Sequence, residues 1–347
     1  MSFKQFGGKA TKGLIQRYEK SPNWRDGKFQ NLEETGMDIG ISKIPGLLKD
    51  QLGNKEGKEP SRPIPISAFD KNGFLSAEEP SFIWYGHSVV LMQLNGQTIL
   101  IDPMLGPNAS PIAPITTKRF SENTLDLIDA FPEIDLLMLT HDHYDHLDLA
   151  SIEKLKHKTK KYFVALGTKR HFECWGINSD LITEFDWWDS NHHHEIEITY
   201  TPTRHFAGRG LTDRAKSLWG GWVFDTGKHK IWFSGDGGYG NHFSEVGKKF
   251  GGFDFAFMEC GQYYKLWRQL HMFPEESVQA ALDAGVKNAM PVHWAGFSLA
   301  PHPWVEPAEN FSKAAEELNL PYTIPMPGTL FGLNSASREA WWKKYNG

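Results

Sequence analysis

The sequence predicts a mixed α/β protein, and three observations carry that expectation. Short apolar runs separated by turn signals begin at Ser81 and read as strands. Helix starts are spelled near Asp148, at Pro274-Glu275-Glu276 and at Pro307. Between them, histidines and aspartates sit just past the ends of apolar runs, where a buried strand opens into a loop.

In chain order, residues 1–78 are rich in Gly, Pro, Lys and Asp and lack periodicity, so they are expected to form an irregular arm laid over a core at 79–347. Phe82 to Tyr85 and Ser88 to Leu94 read as strands, and Asn95-Gly96 is a two-residue hairpin signal leading back through Thr98 to Ile101. Asp102-Pro103 ends that strand. The stretch from about Gly106 to Glu122, with Pro111 and Pro114, reads as a long loop. Ile134 to Leu139 is a buried strand. Leu149, Ile152 and Leu155 recur at helical spacing, so a helix begins near Asp148. Strands follow at Tyr162 to Leu166, Leu181 to Phe185, Glu195 to Thr201, Trp219 to Asp225, Lys230 to Ser234, Phe253 to Met258 and Met290 to Val292. Gly285 closes the helix opened by Pro274, and Pro307 to Leu318 forms a last helix. The triplet His192-His193-His194 is expected in a solvated loop.

Composition excludes several classes. The chain has 347 residues, 40% hydrophobic and 23% charged, which is ordinary for a protein with a sizeable core. A net charge of −5 without a basic run argues against nucleic-acid binding. Cys174 and Cys260 are too few for a disulfide framework and read as small packing residues. No run reaches the ~18 apolar residues of a membrane span, and the N-terminus lacks the apolar region of a secretory signal, so a cytoplasmic location is expected. Peripheral membrane contact and a homodimer are compatible with the sequence. The 13 Trp and 23 Phe are many for this length; most are expected in the core, and a surplus of rings can also line an apolar groove.

The chemistry concentrates in Leu139-Thr140-His141-Asp142-His143-Tyr144-Asp145-His146, of the form H-x-H-x-D-H. Three imidazoles and two carboxylates so close together are costly to desolvate unless a cation joins them. Neutral imidazole nitrogen and carboxylate oxygen are the donors that Zn²⁺ and related ions take. One such motif cannot fill two coordination spheres. Three further candidates lie at strand ends: His205 after Thr201-Pro202-Thr203-Arg204, Asp236 before Gly237-Gly238, and His293 before Trp294-Ala295-Gly296.

The order H-x-H-x-D-H, His, Asp, His resembles the metallo-β-lactamase superfamily. Within it, the chain is similar to the phosphodiesterase branch of N-acyl-phosphatidylethanolamine-hydrolysing phospholipase D. That likeness covers about residues 80–300. It runs through Trp84-Tyr85-Gly86-His87-Ser88, Lys118-Arg119-Phe120, His143 to Asp148, Trp187-Trp188, Arg204-His205, Leu218-Trp219-Gly220 and Pro274-Glu275-Glu276. Asp236-Gly237-Gly238 departs from the Asp-Thr-Gly of the family. The resemblance implies an αββα sandwich with two metals, zinc foremost and Mn²⁺ or Fe²⁺ as alternatives. His141, His143, His205 and Asp236 would hold one, and Asp145, His146, Asp236 and His293 the other. Asp102 would orient a ligand imidazole. Asp145 and Asp236 are the expected catalytic carboxylates, with Asp145 orienting a water shared by the two metals. His143 stands where oxygen-reducing di-iron relatives place Glu, which favours hydrolysis. His271, Tyr263, Tyr264 and Trp267 fall where the family carries pocket loops and are candidate substrate contacts; His87 is a weaker one. The activity implied is hydrolysis of a lipid-like or aryl phosphodiester. The alternatives are a lactonase or other carbon-centred hydrolase, and a non-catalytic binding protein, which the complete ligand set disfavours.

Overall fold

The computed structural model describes residues 3–36, 46, 57–110, 117–210 and 212–346. Strands β1 (Trp24–Arg25) and β2 (Lys28–Phe29) form a small ribbon in the arm. One large sheet contains β3 (Ser81–Trp84), β4 (Val90–Leu94), β5 (Gln97–Ile101), β6 (Leu136–Leu139), β7 (Tyr162–Ala165) and β8 (Ile182–Phe185). A second contains β9 (Ser190–His193), β10 (Ile196–Pro202), β11 (Gly220–Asp225), β12 (Lys230–Phe233), β13 (Phe255–Glu259) and β14 (Ala289–Val292). Finally β15 (Leu330–Gly332) returns to pair with β3, giving the orders β15-β3-β4-β5-β6-β7-β8 and β14-β13-β12-β11-β10-β9.

Both sheets change character part-way. Pairing is antiparallel from β15 to β5 and parallel from β5 to β8. In the other sheet it is antiparallel from β9 to β12 and parallel from β12 to β14. The parallel strands need helical crossovers, supplied by Leu149–Leu155, Lys169–Cys174 and Pro274–Asp283.

Period-two patterning assigns the faces. Phe82, Trp84, Val90, Met92, Leu136 and Met138 point between the sheets, where Phe82 stacks on Phe255 with ring centroids 5.2 Å apart. Ile83, Leu91, Leu100, Leu137 and Leu139 point outward beneath Ile152 and Leu155 of a covering helix. The result is the αββα sandwich.

Local signals explain the boundaries. Asn95 (φ 47°) and Gly96 (φ 74°) turn between β4 and β5 in the left-handed geometry a two-residue hairpin requires. Asp148 caps its helix by accepting from Ser151 N at 2.8 Å. Glu276 accepts from Phe273 N at 3.0 Å and so closes the first turn of the Pro274 helix. One expectation fails. The His192–His194 triplet is not a solvated loop: His193 ends β9, pairs with Ile196 and is buried against Phe163. Strand alternation carries His193 inward while its neighbours stay out. Cys174 is exposed and Cys260 buried, and both are free thiols.

The arm is tied down through backbone groups. Trp175 Nε1 donates to Lys4 O at 2.7 Å, Gly8 N donates to His171 Nδ1 at 3.1 Å, and Phe29 N donates to Ala215 O at 2.9 Å. Among the described residues, no helix is long and apolar enough to cross a membrane.

Candidate functional site

Every polar residue that the sequence placed at a strand end arrives at the same edge of the sandwich. Asp102 follows β5, His141 to His146 follow β6, His205 lies beyond β10, Asp236 follows β12 and His293 follows β14. Four of the five come from the parallel parts of the sheets, where carboxyl ends of strands open a crevice. The backbone is forced into the left-handed region at Asp102 (φ 45°) and His293 (φ 69°), a conformation that costs energy and turns both side chains into the site.

Hydrogen-bond partners fix which nitrogen of each imidazole faces inward. Asp102 accepts from Thr140 N at 2.8 Å and Thr140 Oγ1 at 2.7 Å, and its Oδ2 lies 2.8 Å from His146 Nδ1. That nitrogen is therefore the donor, and His146 Nε2 is left facing Asp236 Oδ2 at 3.0 Å. His141 Nδ1 meets Thr140 Oγ1 at 3.0 Å; the hydroxyl proton is already committed to Asp102, so His141 donates and its Nε2 faces His143 Nδ1 at 2.9 Å. His205 Nδ1 donates to Leu270 O at 3.0 Å, leaving Nε2 3.3 Å from the same His143 nitrogen. His293 Nδ1 lies 3.3 Å from Glu259 Oε1, and its Nε2 lies 3.0 Å from Asp236 Oδ2 and 3.2 Å from Asp145 Oδ2.

The outcome is a set of lone pairs pointing at one another. His143 Nδ1 has at most one proton to offer two neighbours, and His146 Nε2 has none to offer Asp236 unless it becomes cationic. Cations placed between these atoms resolve every such contact at once, so the donor set fits metal ions. Among the described residues, the compact donor groups are His141, His143 and His205; His141, His146 and Asp236; His87, Asp145, His146 and His293; His205, Asp236 and His271; and Glu259, His271 and His293.

Electrostatics divide the cluster. Burial, reinforced by neighbouring imidazoles, drives His141 and His205 far below the ordinary histidine value, and burial brings His143 to about 4 against the opposing pull of the Asp145 and Asp142 carboxylates. Burial acts the same way on His146 and His293, but the Asp236 and Asp145 carboxylates outweigh it and hold both well above the ordinary value. Burial raises Asp145 and Asp236, yet the facing imidazoles win and leave both carboxyls well below their usual range.

Two contributors, Glu259 and Asp142, were not legible in these roles beforehand, and a third, His87, read only as a weak substrate contact. Glu259, fully buried, lies 3.0 Å from His271 Nδ1 and accepts from Met272 N at 2.9 Å, so it orients both His271 and His293. His87 Nε2 lies 2.9 Å from Asp145 Oδ2 and its ring packs 4.3 Å from that of His293. Asp142, inside the motif, points away from the donors: it accepts from Gly208 N at 2.7 Å and from Ser217 Oγ, and lies 3.0 Å from His171 Nε2.

A cleft of about 220 Å³ opens onto the donors, walled by Phe206, Trp267, Leu270 and Leu299 with His271 and Gln262. His271 lies parallel to His293 at 5.2 Å, with Nδ1 tied to Glu259. Trp267 lines the cleft, and Tyr264 packs behind it with ring centroids 4.9 Å apart. Tyr263 is not brought there. Its hydroxyl donates to Glu306 at 2.6 Å and its ring stacks on His302, and those two contacts hold it outside the cleft lining. Trp187, Trp294 and Phe297, also rings near donor segments in sequence, are buried in the core.

A family model described as a beta-lactamase superfamily domain matches residues 97–294. The chain belongs to the metallo-β-lactamase superfamily. It is 35% identical to an uncharacterized protein of Mycobacterium tuberculosis over 94% of this chain and 88% of that one. It is 30% identical to N-acyl-phosphatidylethanolamine-hydrolyzing phospholipase D 1 of Caenorhabditis elegans over 68% of this chain and 69% of that one. Among solved structures, a metallo hydrolase from Ignicoccus hospitalis superimposes with a TM-score of 0.56 at 18% identity, covering 73% of this chain and 97% of that one, a likeness of fold. Family membership, fold and donor clusters together describe a metal-dependent hydrolase of the metallo-β-lactamase superfamily.

Proposed function

We propose that this superfamily member is a dinuclear phosphodiesterase acting on a phosphodiester that carries an acyl or aryl group. The observation that carries the reading is the junction of a converging His/Asp donor set with an apolar wall in one cleft. Similarity to the C. elegans phospholipase D supports phosphorus over carbon as the electrophile. In this reading residues 79–347 carry the chemistry and residues 1–78 form an arm on that domain.

His141, His143, His205 and Asp236 would hold one metal, and Asp145, His146, Asp236 and His293 the other, Asp236 being common to both. Two metals, zinc by donor type, would supply positive charge that acidifies a bound water and offsets charge on the phosphoryl oxygens. The chain's own residues do the rest. Asp145 orients the attacking water and takes its proton, and His87 holds the carboxylate in place through Oδ2. His271, fixed by Glu259, faces the position a phosphoryl oxygen or leaving group takes. Phe206, Trp267, Leu270 and Leu299 bury the apolar substituent, at ~25 cal/mol per Å² removed from water. The partner is a small or lipid-like diester; the net charge of −5 disfavours nucleic acid.

The test is a comparison of kcat/KM for bis(p-nitrophenyl) phosphate, p-nitrophenyl phosphate, a lactone and a chromogenic cephalosporin on metal-loaded protein. The diester is expected to lead. A lactone or cephalosporin preferred by about tenfold, or 1.4 kcal/mol, would overturn the phosphodiester assignment in favour of a carbon-centred hydrolase.

A further inference from the structure

The arm reaches the donor loops as well as the outside of the core. Asn31 makes a two-point contact with the backbone of His205: its Nδ2 donates to His205 O at 2.8 Å, and its Oδ1 accepts from His205 N at 3.1 Å. The same Oδ1 also accepts from Trp219 Nε1 at 3.0 Å, which fixes the amide orientation. His205 lies past the end of β10, where no ladder hydrogen bond holds its peptide groups. Asn31 supplies what a neighbouring strand would have supplied. A second tie acts on the other donor loop. Arg209, 4% exposed, donates from Nη1 to Asp142 O at 2.8 Å and Leu147 O at 2.7 Å while its Nη2 donates to Gln5 O at 2.8 Å.

We infer that the arm is a working part of the metal centre and that Asn31 is its positioning residue. By pinning both peptide groups of His205, Asn31 sets the direction of the imidazole that completes the His141–His143–His205 group. This rests on the dinuclear reading above. Groups that orient metal ligands typically contribute 10–100-fold in metal affinity, and the effect here falls on one of the two metals.

The experiment compares wild-type protein with Asn31→Ala, Asn31→Asp and Asn23→Ala, using zinc competition against a chromogenic chelator and thermal unfolding of the stripped proteins. Asn23 is the control: it is an arm residue whose Nδ2 donates to Asp186 Oδ1 at 2.8 Å, away from the donors. Asn31→Ala is expected to weaken one of the two zinc sites by about 10-fold or more, with the other unchanged. Asn31→Asp keeps the acceptor and loses the donor, so it should fall between; it also serves if the alanine variant fails to fold. Asn23→Ala should leave both affinities at wild-type values even if it lowers Tm. Two sites with equal affinities in wild type, Asn31→Ala and Asn31→Asp would overturn the positioning role alone. Weakening by Asn23→Ala as large as that by Asn31→Ala would do the same, because the effect would then be general loosening. Wild-type protein that takes up no zinc would overturn the dinuclear reading itself.

Discussion

The two halves of the donor cluster use the same residue type under opposite electrostatics. His141, His143 and His205 face one another with no carboxylate closer than the 4.0 Å between His141 and Asp236, and burial keeps them neutral. His146 and His293 face Asp236 and Asp145 and are held protonated without a metal. An imidazole's charge here is a property of its neighbours. The first half has no internal way to satisfy its converging lone pairs, whereas the second can sit as ion pairs. A metal bound there would therefore relieve frustration in the first half and displace protons from the second.

The largest expected effect breaks the carboxylate half. Asp145→Asn keeps the shape but cannot accept a proton, so turnover should fall about 10²- to 10⁴-fold with unchanged circular dichroism. Near-wild-type turnover would remove Asp145 from the chemistry. Next, His205→Ala empties a corner of the imidazole half alone. Elemental analysis should then find one metal per chain instead of two, and two retained metals would contradict the assignment of His205. Asp102→Asn acts through His146: the amide can no longer both hold Thr140 and accept from His146 Nδ1, and metal affinity should drop about 10- to 100-fold, read by chelator competition. An unchanged affinity would make Asp102 a purely structural cap of β5.

The smallest effect sharpens the comparison through pH. His143 at about 4, with His193 at about 4 and His171 and His242 at about 3, stays neutral in the fold mainly because burial penalises its charge. The unfolded chain takes up these protons as pH drops below 6.5, so this contribution is complete above 6.5 and is lost as pH falls towards 4 and 3. His146 and His293 oppose it in stripped protein, because their raised values add stability at low pH that is lost as pH rises. Metal removes that opposition. The Tm advantage of loaded over stripped protein should shrink from pH 6.5 down to pH 4; a constant gap would mean the imidazoles do not bind metal.

What the sequence made legible was local. The run from His141 to His146 carries its chemistry within six consecutive residues, and Asn95-Gly96, Asp148 and Pro274 mark their elements by backbone preference. What it hid was assembled across distance. Glu259 ends the apolar strand β13 and reads as an ordinary strand terminus until His271 and His293 arrive beside it. His87 gains meaning only through Asp145, 58 residues on, and Asn31 through His205, 174 residues on. Tyr263 and Trp267 share a segment, yet only Trp267 lines the cleft; composition gives no direction to a side chain.

The pairing of β15 with β3 joins residues 330–332 to residues 81–83 across almost the whole core. With donors drawn from both sheets, the site's contact order is high, and such topologies fold slowly because loop closure precedes the contacts that reward it. A chain emerging from the ribosome presents His141 to His146 long before His293 exists. The full donor set therefore exists only once the two sheets have closed and His293 has joined His146 beside Asp236.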